Sequence, residues 1–318
     1  MRTPGVHSIE KPQIIIIQGP TGVGKTKVAL SLAETFPIEI INADSMQVYR
    51  FLDIGTSKSA PDQQQAIPHH VLSIINPDED FSAAQFKVKA REAIADITGR
   101  GLLPLIVGGT GLYIRALTRG LFSAPGKNEE LRQELKKKAQ QEGAESLFKL
   151  LQEKDPRSAQ KIKPNDMVRI IRALEVLYLT GVPISEHQQI HGFLDAPYAV
   201  LKIGLTRERK ELYQRIETRV ENMIAAGLLQ EVQSLLDKGY AATLKPLQSI
   251  GYKQLTAFIE GSVSWDEAVQ QMKKETKRLA KRQLTWFRHD PEIDWVVLPE
   301  EAQAIPAMIK NFLKPKLN

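Results

Sequence analysis

The 318-residue chain contains no cysteine. That absence excludes a disulfide framework, a Cys-ligated zinc site, an iron–sulfur cluster and thiol catalysis. Long apolar runs are missing too: stretches such as Ile14–Ile17 fall far short of the ~18 residues of a membrane span. The opening MRTPGVHSIEKP is polar and broken by proline where a signal peptide has an apolar centre. A cytoplasmic protein with no membrane partner is expected. There is no internal repeat and no low-complexity tract. Charge is nearly balanced, 43 Lys and Arg against 37 Asp and Glu, and the net +6 by itself favours an ordinary surface over a polyanionic partner. With 42% hydrophobic residues the chain has ample side chain for a core, which excludes wholesale disorder.

What is present alternates. Short apolar runs at Ile14–Gln18, Ile38–Asn42, Val71–Ile75 and Leu103–Val107 are each followed by turn residues and a helical pattern. Val200–Leu205 and Ile293–Leu298 are two further runs. Strands alternating with helices imply an α/β fold, a parallel sheet flanked by crossover helices. Between the fourth and fifth runs the pattern changes: from about Asn128 to Thr180 it is helical, charged and free of strand-like runs. An all-helical insertion domain is the economical reading. The expected divisions are a first part of the core at 1–122, the insertion at 123–199, and core completion with C-terminal helices at 200–318. Residues 1–12 are expected to fray. Arg207–Leu236 and Trp265–Arg288 read as two long helices. Nothing specifies an oligomer, and a monomer is expected.

Gly19-Pro20-Thr21-Gly22-Val23-Gly24-Lys25-Thr26 follows the first strand and opens an amphipathic helix, the context of a phosphate-binding loop. Glycines let the backbone wrap a phosphate with its N–H groups inward, and the helix N-terminus adds partial positive charge. Lys25 can reach the outer phosphate and the Thr26 hydroxyl can ligate Mg²⁺. The loop leaves the diphosphate ester unspecified. The second strand ends in Asp44-Ser45-Met46-Gln47. Strand carboxyl ends carry the ligands of open parallel sheets, so Asp44 belongs near the loop as a helix cap, a Mg²⁺-holding carboxylate or a general base. Gly108-Gly109-Thr110-Gly111 follows the fourth strand. Its glycines permit close backbone approach to a ligand, or a tight turn capped by Thr110. The three segments converge on one face of the sheet.

Near the C-terminus QQMKKETKRLAKRQLTWFRH carries Lys273, Lys274, Lys277, Arg278, Lys281, Arg282 and Arg288 against one acid, Glu275. Lys274, Lys277 with Arg278, and Lys281 fall on one helical stripe, and Trp286-Phe287 closes the segment. A basic stripe with flat aromatics suits nucleic acid, where a solvated helix face is the plainer alternative. Arg169 and Arg172 add a second basic site within the insertion. His69 and His70 are tempting as metal ligands, but without a third ligand nearby a structural or substrate-lining role is expected.

Taken in order, GPTGVGKT, ADSMQVYR, DIGTSK, Pro68-His69-His70, GGTGLY, RALEV, RIETRV, IGYKQL and AKRQLTWFR resemble the bacterial tRNA dimethylallyltransferases, also called tRNA isopentenyltransferases. The resemblance spans nearly the whole chain. Ser59, after Lys58, stands where that family usually has proline, and the zinc finger that some eukaryotic relatives append is missing. The resemblance implies a phosphate-loop NTPase-like α/β domain with a helical insertion. It implies transfer of a five-carbon group from dimethylallyl diphosphate to the exocyclic amine of adenosine-37, in the anticodon stem-loop of tRNA. It assigns Asp44 as general base, Arg219 as a diphosphate contact, Thr26 with Mg²⁺ to the leaving group, and Asp44, Ser45, Met46, Gln47 and Thr110 to the flipped-out base. Further tRNA contacts fall on Arg132; on Val168, Arg169, Ile170, Ile171 and Arg172; on Gln248, Ser249, Ile250, Gly251, Tyr252 and Lys253; and on Lys281, Arg282, Gln283, Leu284, Thr285, Trp286, Phe287 and Arg288. The residues alone leave room for a metabolite kinase or a nucleic-acid-binding ATPase. A kinase leaves the basic helix without a task.

Overall fold

The computed structural model describes residues 11–123 and 125–314. The frayed tail expected over residues 1–12 therefore falls almost wholly outside the described residues. The chain divides into two compact units: the helical stretch Arg119–Ala196, and the segments before and after it, which build the sheet unit.

The first segment runs β1 (Gln13–Gln18), α1 (Lys25–Ala33), β2 (Ile38–Asn42), α2 (Pro61–Ala66), β3 (His69–His70), α3 (Ala83–Gly99), β4 (Leu103–Gly108) and α4 (Gly111–Arg119). The helical unit contains α5 (Glu129–Glu142), α6 (Ala144–Lys154), α7 (Pro156–Ala159), α8 (Met167–Thr180) and α9 (Ile184–His191). The last segment runs β5 (Ala199–Thr206), α10 (Arg209–Ala225), α11 (Leu228–Asp237), α12 (Tyr252–Ile259), α13 (Trp265–Phe287), β6 (Ile293–Val297) and α14 (Ile305–Leu313).

The strands form one parallel sheet in the order β3-β2-β4-β1-β5-β6. Four consecutive isoleucines make β1 buried on both faces, as a central parallel strand must be. Ile14 and Ile16 join one core, Ile15 and Ile17 the other. Register then decides where function can sit. Gln18 pairs with Gly108 and Gly204, and Asn42 pairs with Val107, so β1, β2, β4 and β5 end at nearly one level. The loops that leave β1, β2 and β4 emerge along a common edge.

Two expectations need correction. The third strand is His69–His70, beside Ile40 and Ile41, and not Val71–Ile75. Val71 and Ser73 have φ of 58° and 52°, left-handed values that no strand continues through, and only Ile75 returns as an isolated bridge to Tyr49. The helix expected over Arg207–Leu236 is two, broken at Gly227 with φ of 98°.

The helical unit has its own core, with Leu135, Leu147, Leu151, Ile170 and Leu174 drawn from α5, α6 and α8. A fully buried carboxylate, Glu175, ties α5 to α8. It accepts from Arg132 Nε at 2.7 Å, the second Arg132 nitrogen at 2.9 Å, Arg172 at 2.5 Å and the Asn128 amide at 2.8 Å. Burial alone raises the Glu175 pKa, but these donors together hold it down at about 2. A depressed carboxylate contributes stability in full above its unfolded pKa and loses it as pH falls toward the folded value. Amide exchange in α5 and α8 is therefore expected to accelerate as pH falls from about 4.5 toward 2, beyond the intrinsic acid trend. In Glu175→Gln, exchange is expected to be faster already at neutral pH, with this acid dependence lost.

Candidate active site

The common edge of the sheet opens into a cavity of about 1150 Å³. The phosphate loop forms one wall. Gly19 (φ 151°) and Gly24 (φ 115°) take backbone values that an L side chain resists, and a Cβ on Gly19 would stand 2.6 Å from the Leu205 carbonyl oxygen. Four side chains fix the loop. Lys25 Nζ donates to the Gly19 and Pro20 carbonyls, each at 3.0 Å. Arg207 Nε donates to the Val23 carbonyl at 2.8 Å and Arg215 Nε to that of Gly22 at 3.0 Å. Gln283, from α13, accepts from the Thr21 amide at 2.9 Å. Among the described residues no hydrogen bond engages the amides of Gly22, Gly24, Lys25 or Thr26. Those N–H groups, at the start of α1, remain available to an anion. The Val23 side chain is fully buried, so that residue offers only backbone.

Asp44, Lys25 and Arg219 line this cavity together, with Gln47 and Thr26. Burial lowers the Lys25 pKa to about 8; Asp44 opposes that shift and Arg219 adds to it. Burial likewise pulls the Arg219 guanidinium below its usual range, again opposed by Asp44. Its Nε has no hydrogen-bond partner among the described residues, and its one bond, to the Thr56 carbonyl, is long at 3.5 Å. Two desolvated cations with so little compensation favour an anionic ligand.

Asp44 caps no helix. The chain turns after β2, and Asp44 Oδ1 accepts from the Met46 amide at 2.9 Å to hold that turn. Its other carboxylate oxygen makes no hydrogen bond among the described residues and remains for chemistry. Thr110 stands just before α4, and its carbonyl accepts the Tyr113 and Ile114 amides, but its side chain is used elsewhere. Its hydroxyl accepts from the Ser45 amide at 3.0 Å, while its own amide donates to Ala43, so it braces the Asp44 turn from behind. Gln47 spends its amide on the Thr56 and Ser57 carbonyls. The glycines after β4 are approached by protein and not left open for a ligand. A Cβ on Gly109 would stand 2.4 Å from Gln283 Nε2, and one on Gly111 2.1 Å from the Trp286 indole nitrogen.

The expected RNA contacts separate by exposure. Ile170, Ile171, Tyr252 and Phe287 are buried in cores, and Gly251 is buried with them. Tyr252 gives its hydroxyl to Glu231 at 2.6 Å; the same carboxylate accepts the amides of Asp53, Ile54 and Gly55. Leu284 packs against the core, and Arg132 and Arg172 are held by Glu175. Gln248 and Ser249 bond to backbone in their own loop, beside partly buried Ile250. Val168, Arg169, Lys253, Lys281, Arg282, Thr285, Trp286 and Arg288 are exposed. The basic stripe on α13 is also divided. Lys273 pairs with Glu221 and Lys277 with Glu217, both from α10, while Lys281, Arg282 and Arg288 have no acidic partner among the described residues.

Sequence reasoning passed over Arg207, Arg215, Thr218 and Asn222. The last three join Arg219 as a polar stripe at three- and four-residue spacing on α10, facing the cavity. That spacing was readable. His69 and His70 act in the frame: His69 Nδ1 donates to the Ile67 carbonyl at 2.6 Å, so its Nε2 accepts from Ser59, and His70 bonds buried Glu39 at 2.7 Å. No group of three or more His, Asp or Glu side chains with metal-binding placement occurs among the described residues, and no described helix is long and apolar enough to cross a membrane.

The IPP transferase family model matches residues 47–290, and an isopentenyl transferase model matches 12–72. The chain belongs to the IPP transferase family. It is 54% identical over 288 residues to tRNA dimethylallyltransferase 2 of Syntrophus aciditrophicus, covering 91% of this chain and 93% of that one. The tRNA dimethylallyltransferase of Geobacter metallireducens is 50% identical, with 95% and 98% covered. A full-length tRNA isopentenylpyrophosphate transferase from Bacillus halodurans superposes with a TM-score of 0.69 at 38% identity, over 95% of this chain and 97% of that one. A eukaryotic dimethylallyltransferase, solved as it acts on tRNA, gives 0.77 at 28% identity, over 94% and 77%. These neighbours bear out the resemblance and the α/β fold. The kinase alternative is not favoured.

The charge state of Lys25 gives a test. An anion in the loop raises its pKa, so binding takes up a proton wherever the free lysine has lost one. Inorganic diphosphate is expected to bind with proton uptake above about pH 8, and this contribution is expected to weaken its affinity as pH rises through that value. Calorimetry in buffers of different ionisation enthalpy measures it. Lys25→Met is expected to bind more weakly and to lose this limb, leaving the titration of diphosphate itself.

Proposed function

We propose that the chain transfers the dimethylallyl group of dimethylallyl diphosphate to N6 of adenosine-37 in the anticodon stem-loop of tRNA, acting as a monomer in the cytoplasm. The observation that carries this reading is the sharing of one cavity by Lys25, Arg219 and Asp44 beside the phosphate loop. The loop amides, Lys25 and Arg219 bind the diphosphate. As the N6 lone pair attacks C1 of the donor, the C1–O bond breaks and diphosphate leaves with the electron pair. The developing charge on that oxygen falls among preorganised donors in a desolvated site, where such contacts act most strongly. The adenine amine is a weak nucleophile, and Asp44 accepts its proton as the bond forms. Met46 holds one oxygen of Asp44 and so aims the carboxylate.

Thr26 is exposed within the cavity wall, at the position where a loop hydroxyl holds Mg²⁺. Among the described residues no acidic cluster competes for the ion, so the Thr26 hydroxyl and the phosphate oxygens of a bound diphosphate would hold it. Bound there, Mg²⁺ would supply charge neutralisation to the leaving diphosphate. The target base leaves its stack to reach Asp44. RNA phosphates meet Lys281, Arg282 and Arg288 beside Trp286, whose 43% exposed indole supports a stacking role. Val168 and Arg169 are the exposed contacts on the helical unit.

Incubation with tRNA and labelled dimethylallyl diphosphate, then with labelled ATP, tests the reading: label is expected in RNA from the prenyl donor only, and phosphate release from ATP overturns it. Asp44→Asn keeps the Met46 turn bond but cannot take the proton; single-turnover transfer is expected to fall roughly 10²-fold or more with tRNA affinity kept. For Lys281→Ala/Arg282→Ala, tRNA affinity is expected to drop and its log–log salt slope to flatten by about one unit per lost phosphate contact. Transfer at saturating tRNA is expected to survive in the double variant.

A further inference from the structure

We propose that Gln283 is a positioning residue that ties the donor-binding loop to the turn behind the acceptor base, and not a contact to RNA. The proposal rests on the functional reading above. Gln283 directly follows Lys281 and Arg282 on α13, but its side chain points into the protein and lines the cavity. One amide makes two bonds of opposite sense. Its oxygen accepts from the Thr21 amide of the phosphate loop at 2.9 Å; its nitrogen donates to the Gly109 carbonyl at 3.0 Å.

Both partners adjoin residues that the chemistry uses. Thr21 precedes the loop residues whose amides face the anion site. Gly109 precedes Thr110, whose hydroxyl holds the Ser45 amide and thereby the Asp44 turn. The fit of α13 depends on missing side chains, since Gln283 fills the notch at Gly109 and Trp286 the notch at Gly111. A primary amide is the side chain suited to this place, because it offers one acceptor and one donor from a single planar group. The outer face of the same turn of helix presents Lys281, Arg282 and Trp286. Any shift of α13 when a polyanion docks is therefore transmitted to Thr21 and Gly109 together. Gln283 sets the distance between leaving group and base, and it links occupancy of the outer face to the donor loop.

The test uses Gln283→Met, which keeps the volume and removes both bonds, and Gly109→Ala. A Cβ on Gly109 meets only the far end of the flexible Gln283 side chain below 3 Å, so it displaces the amide without changing it. Three quantities are measured: inorganic diphosphate affinity by calorimetry, affinity for an anticodon stem-loop RNA, and the single-turnover transfer rate with both substrates saturating. In each variant diphosphate affinity is expected to fall about tenfold and transfer roughly 10- to 100-fold, with RNA affinity within about twofold of wild type. The double variant is expected to be no worse than the worse single one, because both changes break the same bridge. Wild-type diphosphate affinity and rate in Gln283→Met, loss of RNA affinity alone, or effects that multiply in the double variant would each overturn the proposal. Should Gln283→Met fail to fold, Gly109→Ala decides by the same three readouts. A wild-type chain that transfers no prenyl group to RNA would overturn the functional reading instead, and the diphosphate arm would still test the bridge.

Discussion

Lys25 and Arg219 are both desolvated in one cavity, and in each case Asp44 is the acid that opposes the penalty. The rest of the architecture follows from keeping those three groups together. Burial of a cation costs free energy that only an anion or a hydrogen-bond acceptor relieves. Lys25 meets part of the deficit by folding back on the Gly19 and Pro20 carbonyls, but Arg219 has a single long bond. A diphosphate supplies what the protein withholds, and its departure restores the deficit. An active site poised in this way holds its leaving group by charge and can release it once the bond to carbon is broken.

Such a site works only if the loop does not collapse onto its own cations. Arg207, Arg215 and Gln283 arrive from three different places in the sequence to hold the carbonyls of Val23 and Gly22 and the amide of Thr21. Each bond uses a backbone group other than the amides at the start of α1. The amides of Gly22, Gly24, Lys25 and Thr26 are left for the ligand. The sheet performs the same service on a larger scale. Because β1, β2 and β4 end at one register level, the loop, Asp44 and Thr110 need only short turns to meet.

The catalytic edge was legible in the sequence because its signals are local. A phosphate loop, an acid after the second strand and a Gly-Gly-Thr-Gly turn are each read within a few residues. The broken third strand was not, since the left-handed residues Val71 and Ser73 are apolar or polar without a turn signature. Gly227 was a visible break within a long helical pattern, but periodicity continues on either side of it. The meaning of Gly109 and Gly111 was illegible for a different reason. A glycine announces that something approaches closely, and only the fold shows that the visitor is a side chain of α13 some 170 residues later. Likewise Tyr252 sits in a motif expected to contact RNA, and its buried hydroxyl is instead given to Glu231, a residue in another helix.

Charge on α13 makes the same point in energetic terms. Counted along the sequence, its lysines and arginines form one stripe. In the fold the stripe is spent unevenly. Glu221 and Glu217 of α10 take Lys273 and Lys277, pairs that fasten the two helices. Beyond them the remaining acid of α10, Glu211, is taken by Arg207, and the last turns of α13 keep Lys281, Arg282 and Arg288 for solvent or a polyanion. Cations at that end are also favoured by the helix dipole, so leaving them unpaired is less costly there than elsewhere on the surface. The inner face of those same turns carries no charge at all: Ala280, Gln283, Leu284 and Phe287 meet the protein instead. One helix end thus presents charge outward and a single neutral amide inward. A cation in the place of Gln283 would share the cavity with Lys25 and Arg219 and deepen their deficit, whereas an amide reads the loop without disturbing its field.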